Sequence, residues 1–97
     1  MKKRNDILDI AMNLNKKKVL ITGASKGIGR ATAIAFAKEG CSVAINYKED
    51  FKAAQAVLKE CDKYSKGNIL VKADISKEDQ AIALSKKVKK GLKHIDI

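Results

Sequence analysis

Three glycines stand within a seven-residue stretch between a short apolar run and a helical pattern. They are Gly23, Gly27 and Gly29, and the apolar run before them is KVLIT at 18–22. A turn at this place presents the first backbone N–H groups of a helix, and an anionic phosphate can accept their hydrogen bonds. The residues therefore predict a pyrophosphate-binding turn, with a tight turn that binds nothing as the alternative.

Each glycine has a separate predicted role. Gly23 permits a sharp exit from the strand, Gly27 lets the backbone approach the phosphates, and Gly29 lets the helix pack closely on the sheet. The spacing is G-x-x-x-G-x-G, which differs from the general G-x-G-x-x-G fingerprint, so the position between strand and helix carries the interpretation. The loop's remaining hydrogen bonds are expected from Thr22, Ser25 and the amide of Ile28.

The elements that must position this turn alternate regularly along the chain. Apolar runs at 18–22, 42–46 and 68–74 have the length of buried strands, and a further strand begins at 94–97. Helical patterns lie between these runs. The order β-α-β-α-β-α-β predicts an α/β fold with half of a doubly wound parallel sheet, truncated at the start of its fourth strand.

Apolar residues at helical spacing predict the buried face of each helix, and Ser76 with Asp79 predicts the start of the third helix. The predicted faces are Ile28, Thr32, Ala35 and Phe36; Ala54, Val57, Leu58 and Cys61; and Ala81, Leu84, Ser85, Val88 and Leu92.

The cysteines, the histidine and the apolar runs give no sign of a metal site, a membrane span or a signal peptide. Cys41 and Cys61 fit neither C-x-x-C nor a zinc pattern, so we expect no metal site but two reduced, partly buried thiols in a cytoplasmic protein. His94 has no partner in the sequence and is expected at the surface. No stretch approaches the roughly 18 apolar residues of a membrane span, and polar residues interrupt the start of the chain, so no signal peptide is predicted.

The net charge of +10 raises the question of nucleic-acid binding. The basic residues are nearly all lysines spread over every predicted helix, and only four residues are aromatic, so stacking platforms for bases are scarce. Solvated helix faces explain the lysines better than a nucleic-acid interface. A positive field would still attract anionic ligands such as a dinucleotide.

Three segments resemble the short-chain dehydrogenase/reductase family, in particular 3-oxoacyl-carrier-protein reductases and similar bacterial members. They are TGASKGIG at 22–29, AINYKED at 44–50 and KADIS at 72–76. The resemblance implies a partial Rossmann-type sheet, an NAD(P)(H) cofactor and hydride transfer between a carbonyl and an alcohol. It also implies that Asp74 bonds the adenine amino group and that Ile75 packs on the ring.

The resemblance covers about residues 12–97, which are expected to form the N-terminal half of a dinucleotide-binding Rossmann domain. Residues 1–11 are expected to be a frayed N-terminal extension, and Met12 is an alternative start. In strand order 3-2-1-4, a shortened fourth strand leaves one side of 18–22 open. An open apolar edge can pair with a second chain, so self-association is a further expectation.

The second strand ends where an acidic residue would bond both ribose hydroxyls of NAD. That place holds Asn46 and Tyr47, followed by Lys48, and none of them would repel a 2′-phosphate. Lys26 in the glycine turn resembles the basic residue of members that prefer NADP, and it could pair with that phosphate. NADP is therefore the favoured cofactor, with NAD as the alternative.

The family's catalytic segment has no counterpart in these residues. The resemblance implies a Ser and a Tyr-x-x-x-Lys pair, but neither Tyr47 nor Tyr64 has a lysine four residues on, so no catalytic residue is predicted. The favoured function is the NAD(P)-binding portion of a short-chain oxidoreductase, and whether the chain itself is an enzyme stays open. The alternative is a non-catalytic dinucleotide-binding module or a truncated remnant.

Overall fold

The computed structural model describes residues 16–97, so the expectations for residues 1–11 and for Met12 lie outside the described part of the chain. Strands and helices alternate as the sequence predicts. They are β1 (Lys18–Ile21), α1 (Gly27–Lys38), β2 (Ser42–Tyr47), α2 (Phe51–Asp62), β3 (Ile69–Lys72) and α3 (Glu78–Leu92).

The three strands form a parallel sheet in the order β1-β2-β3. Alternate residues of a strand face opposite sides of the sheet, and the core divides accordingly. Val19, Val43 and Ile45 pack with α1 and α2, whereas Ala44 and Val71 pack with α3. Because helices cover both faces, every residue of β2 is buried. The predicted α/β fold with a partial, doubly wound Rossmann-type sheet is confirmed.

The buried helix faces match the prediction for α2 and α3, but only in part for α1. Helix α1 buries Ala33 and Ala37, while Ala35 and Ile28 are exposed, Ile28 by 87%. Phe36, which was predicted, and Ile34, which was not, pack partly buried against the same core. The inward residues of the other two helices are Ala54, Val57 and Cys61, and Leu84, Val88 and Leu92.

The predicted start of α3 at Ser76 and Asp79 is wrong. The helix begins at Glu78 and its N-cap residue, Lys77, makes no side-chain capping bond. The amide and hydroxyl of Ser76 instead donate to Oδ1 of Asp74, at 3.0 and 2.6 Å. This local Asx turn competes with a capping box for the same serine.

The segment 94–97 carries no assigned strand, yet it lies against the side of β1 opposite β2. The N–H of Ile97 donates to the carbonyl of Lys18 at 3.1 Å, and the carbonyl of Ile97 accepts from the N–H of Leu20 at 3.0 Å. This is how a parallel neighbour bonds, and it agrees with strand order 3-2-1-4. The segment occupies part of the outer edge of β1, so self-association through that edge stays a prediction.

His94 is exposed as expected, but it has a partner. Its Nε2 lies 3.1 Å from Oδ2 of Asp96, which also accepts from the N–H of Lys18 at 2.8 Å. The hydrogen bond from Lys18 is the main cause that lowers the pKa of Asp96. The ionised carboxylate thereby joins segment 94–97 to the first residue of β1.

Cys41 and Cys61 belong to the core between the sheet and the helices α1 and α2. Burial, followed by nearby carboxylates, raises the pKa of each thiol to about 11. Both side chains are thus protonated at neutral pH, as expected of thiols that pack rather than react. Over residues 16–97, no helix combines the length and the apolar character that crossing a membrane requires.

Candidate functional site

The turn between β1 and α1 is built on two glycines with positive φ angles. Gly23 has a φ of 58° and Gly27 one of 55°, a conformation that costs residues with a side chain roughly 1–2 kcal/mol. A Cβ atom added at either position would have no atom within 4 Å. The backbone of the turn is therefore bare toward its open side, which leaves room for a ligand to approach.

Gly29 has a different role, because it lies in the first turn of α1. A Cβ atom at this position would overlap the carbonyl oxygen of Gly23 and come within 2.9 Å of its carbonyl carbon. The helix can rest on the turn only if residue 29 has no side chain. The close packing predicted for Gly29 is present, and the partner it packs against is the turn itself.

The N-terminus of α1 has no side-chain cap. The N-cap residue Lys26 is extended and makes no capping bond, and the first turn of the helix holds no acidic residue. The ladder begins with the N–H of Arg30 donating to the carbonyl of Lys26 at 3.1 Å. The N–H groups of Gly27, Ile28 and Gly29 have no partner within the helix. They carry the partial positive charge of the helix dipole toward the open side of the turn.

Asn46, the fifth residue of β2, holds this turn from below. Its Oδ1 accepts from the N–H of Gly23 at 3.2 Å, and its carbonyl accepts from the N–H of Ala24 at 2.8 Å. Its Nδ2 donates to the carbonyls of Val71 and Ala73, both at 3.2 Å. The residue is 2% exposed, so one buried amide joins the glycine turn to the ends of β2 and β3.

The predicted contact of Asn46 with the cofactor stays a prediction, and in this structure its side chain bonds the protein itself. Both N–H groups and the oxygen of its amide are bonded to the backbone, so the side chain is turned inward. The signal in the sequence was a single amide within the apolar run SVAINY, since a buried polar group needs partners inside the protein. Tyr47 is also buried, and its ring centroid lies 6.0 Å from that of Phe51.

An acidic and an apolar side chain follow the end of β3. The hydrogen bonds from the hydroxyl and then the amide of Ser76 lower the pKa of Asp74, which is therefore ionised at neutral pH. Lys48 forms an ion pair with the other carboxylate oxygen of Asp74, with Nζ 3.8 Å from Oδ2. Ile75 is half exposed beside it. A hydrogen-bond acceptor and an apolar surface thus stand together at this strand end.

Lys26 reaches across the site to the start of α2. Its Nζ lies 3.7 Å from Oδ2 of Asp50, with side chains 73% and 44% exposed. Asp50 is the N-cap residue of α2, and its Oδ1 accepts from the N–H of Ala53 at 2.9 Å. Asp50 is a residue of this site that was not predicted from the sequence. An Asp directly before the pattern FKAAQAVL was the available signal.

All these groups lie at the carboxyl ends of the parallel strands. The glycine turn, with Thr22 exposed and Ser25 partly buried in it, follows β1. Asn46 and Tyr47 end β2, and Asp74 and Ile75 follow β3. Ligands of open α/β sheets bind at this edge. No group of three or more His, Cys, Asp or Glu side chains within residues 16–97 is placed to hold a metal ion.

Comparisons with known proteins agree with this geometry. The model of the short chain dehydrogenase family matches residues 17–97. The hydroxynaphthalene reductase-like protein Arp2 of Metarhizium acridum is 40% identical over 89 residues, which are 92% of this chain and 33% of that protein. The uncharacterized oxidoreductase YgfF of Escherichia coli is 45% identical over 65 residues, 67% of this chain and 26% of that protein.

Two solved structures show the same fold with different cofactors. The NADH-dependent reductase A1-R′ complexed with NAD has a TM-score of 0.80 at 31% identity, covering 87% of this chain and 35% of that one. The landomycin C-6 ketoreductase LanV with bound NADP has a TM-score of 0.74 at 36% identity, covering 84% and 33%. The chain spans about a third of the length of relatives such as Arp2 and reductase A1-R′. It belongs to the short-chain dehydrogenase family.

Proposed function

We propose that residues 12–97 are the N-terminal half of the dinucleotide-binding Rossmann domain of a short-chain carbonyl reductase similar to the 3-oxoacyl-carrier-protein reductases. One observation carries the proposal: the uncapped start of α1 opens onto a turn whose two positive-φ glycines leave its backbone bare. Such a site suits a pyrophosphate, because backbone N–H groups and the helix dipole both favour an anion there. The segments TGASKGIG, AINYKED and KADIS support the comparison with that subgroup.

Different residues are proposed to bind different parts of the cofactor. The pyrophosphate would bind to the amides of Gly27, Ile28 and Gly29, with the hydroxyls of Thr22 and Ser25 completing the turn. At the end of β3, the ionised Asp74 would accept from the adenine amino group and Ile75 would cover one face of the ring. Asn46 would act by holding the turn, and buried Tyr47 by shaping the wall next to it. When bound, the nicotinamide would supply or accept the hydride in a carbonyl–alcohol exchange.

We propose NADP as the preferred cofactor, with NAD as the alternative. Solved relatives of this chain hold either one, so the preference has to come from this chain's own residues. Lys26 is a largely exposed cation in the glycine turn. Neither Asn46 nor Tyr47, the last two residues of β2, is a carboxylate, so these two residues add no charge that repels a 2′-phosphate.

The substitution Lys26→Glu tests this preference. We expect NADP affinity to fall about 10- to 100-fold, since a charge-assisted bond worth roughly 1.5–3 kcal/mol is replaced by repulsion. NAD affinity should change less than about two-fold, because NAD lacks the 2′-phosphate. Isothermal titration of the wild type and of Lys26→Glu with each cofactor measures the difference in affinity. The control is Lys89→Glu, at an exposed position of α3. It makes the same change in net charge and should leave both affinities nearly unchanged. Equal losses for NADP and NAD in Lys26→Glu would refute the assignment.

Dinucleotide binding without catalysis by this chain is a second candidate, favoured by one observation. Neither tyrosine of the sequence is followed by a lysine at the fourth position, so the 97 residues contain no Tyr-x-x-x-Lys pair for general acid catalysis. Both candidates share the same cofactor site.

The buried, protonated Cys41 and Cys61 support our further proposal of a cytoplasmic location.

A further inference from the structure

We propose that Asp50 is a specificity-determining residue that opposes NADP at the site, so that the chain's preference is set by the Lys26–Asp50 pair and not by Lys26 alone. The inference rests on the proposed function, because it concerns the same dinucleotide site. It assigns a role to a carboxylate that follows the end of β2 by three residues.

The first step is the contact between the two side chains. Nζ of Lys26 and Oδ2 of Asp50 are 3.7 Å apart, although the chain between them includes α1 and β2. Lys26 belongs to the phosphate-binding turn, and Asp50 is its partner at the adjacent strand end. A phosphate that bonds Lys26 must therefore displace Asp50 or share the lysine with it.

The second step is that moving the Asp50 side chain away from Lys26 would also break a hydrogen bond. Oδ1 of Asp50 accepts from the N–H of Ala53 at 2.9 Å as the N-cap of α2. A tilted ring contact between Phe51 and Tyr47, with centroids 6.0 Å and planes 56° apart, also links the start of the helix to β2. The carboxylate is thus held in place by a structural bond while its other oxygen faces the lysine.

The third step follows from the charges. A 2′-phosphate carries close to two negative charges at neutral pH, and a fixed carboxylate beside its cationic partner repels it. The diphosphate bridge common to NAD and NADP binds at the glycine turn instead, so Asp50 should weaken NADP selectively. Lys48, two positions before Asp50, is paired instead with Asp74, its Nζ 3.8 Å from Oδ2.

The capping role and the charge can be separated by substitution. Asparagine and serine are good N-cap residues, so Asp50→Asn and Asp50→Ser keep the bond to Ala53 and remove the negative charge. Glu49→Gln is the matched control, because Glu49 is an exposed carboxylate one position earlier and its loss changes net charge equally. Lys26→Met in combination with Asp50→Asn tests whether the effect passes through the pair.

The experiment is isothermal titration of the 97-residue chain and these variants with NADP and with NAD. We expect Asp50→Asn and Asp50→Ser to bind NADP about three- to ten-fold more tightly, as for a partly exposed charge pair. NAD affinity should stay within about two-fold, and Glu49→Gln should resemble the wild type. In the Lys26→Met background, most of the gain should vanish.

Two results would overturn the inference and leave the proposed function standing. One is an unchanged NADP-to-NAD affinity ratio in both Asp50 variants while both cofactors still bind. The other is an equal gain in Glu49→Gln, which would mean a general effect of charge. Absence of binding by either cofactor to any folded variant would instead contradict the proposed function together with this inference.

Discussion

Replacing Gly29 with alanine should lower the free energy of unfolding by about 2–4 kcal/mol and abolish dinucleotide binding. The added Cβ would overlap the carbonyl oxygen of Gly23, which is backbone and cannot rotate away. Helix α1 would have to move off the turn, and the N–H groups that are proposed to bind the phosphates would move with it. Urea denaturation followed by circular dichroism measures the first effect, and titration with NADP the second.

Gly91→Ala is the matched control for Gly29→Ala, because both residues lie in helices. A Cβ at Gly91 would come 2.8 Å from Cδ1 of Ile69, the end of a flexible side chain that can adopt another rotamer. Alanine also has a higher helix propensity than glycine by roughly 1 kcal/mol. Stability should therefore change by less than about 1 kcal/mol, with cofactor binding intact. Similar behaviour of the two variants would contradict the role assigned to Gly29.

The substitution Asn46→Asp should destabilise the chain by about 2–4 kcal/mol at neutral pH, although the two side chains are nearly the same size. A carboxylate cannot donate to the carbonyls of Val71 and Ala73, and burial at this position would raise the pKa of the new carboxyl group. With its carboxyl pKa raised in the folded state, the variant keeps its stability below the unfolded-state pKa of about 3.9. It loses stability as the pH rises from there through the folded-state pKa. Denaturation curves at several pH values measure this trend.

Asn68→Asp provides the comparison for Asn46→Asp. Oδ1 of Asn68 accepts from the N–H of Val43 at 2.7 Å, a bond that an aspartate keeps. Its Nδ2 donates to Asp62 and to the carbonyl of Ser65, so some loss is expected there too. Because Asn68 is only partly buried, we expect a loss of about 1 kcal/mol, smaller than that in Asn46→Asp. Part of this loss should be recovered at low pH, since the new carboxylate would lie beside that of Asp62. An Asn46→Asp variant with wild-type stability across the pH range would show that the buried amide does not hold the turn.

The sequence was sufficient to predict the alternating fold because strand and helix periodicities are local signals. KVLIT, SVAIN and NILVKAD are largely apolar runs of strand length, and each contains one strand of the sheet. The glycine turn was equally accessible. The positive φ angles at Gly23 and Gly27 are conformations that glycine adopts without strain.

The errors have physical reasons. The inner face of α1 was assigned only in part, because its fully buried residues are the small Ala33 and Ala37, which hydrophobicity alone does not distinguish from exposed alanines. Ser76 was assigned to a helix cap because the competing bond to Asp74 depends on the geometry of the loop. Both effects are decided by where neighbouring backbone lies, and the residue types permit either outcome.

The partners of Asn46 and of Asp50 could not be deduced from the sequence at all. Asn46 bonds residues 23–27 positions away, and Asp50 meets a lysine across two strand ends. A sequence shows which groups need partners, but the sheet order decides which partners they obtain. The site was therefore predictable as a place and as a chemistry, whereas its supporting contacts required the structure.

Titration calorimetry of the folded polypeptide with NADP, and in parallel with NAD, examines the main conclusion most directly. We predict saturable binding of one nucleotide per chain, tighter for NADP, and its disappearance in Gly29→Ala but not in Gly91→Ala. A well-folded preparation that takes up neither nucleotide, or one whose affinity is the same with and without Gly29, would contradict the conclusion that the helix start at α1 is a phosphate site.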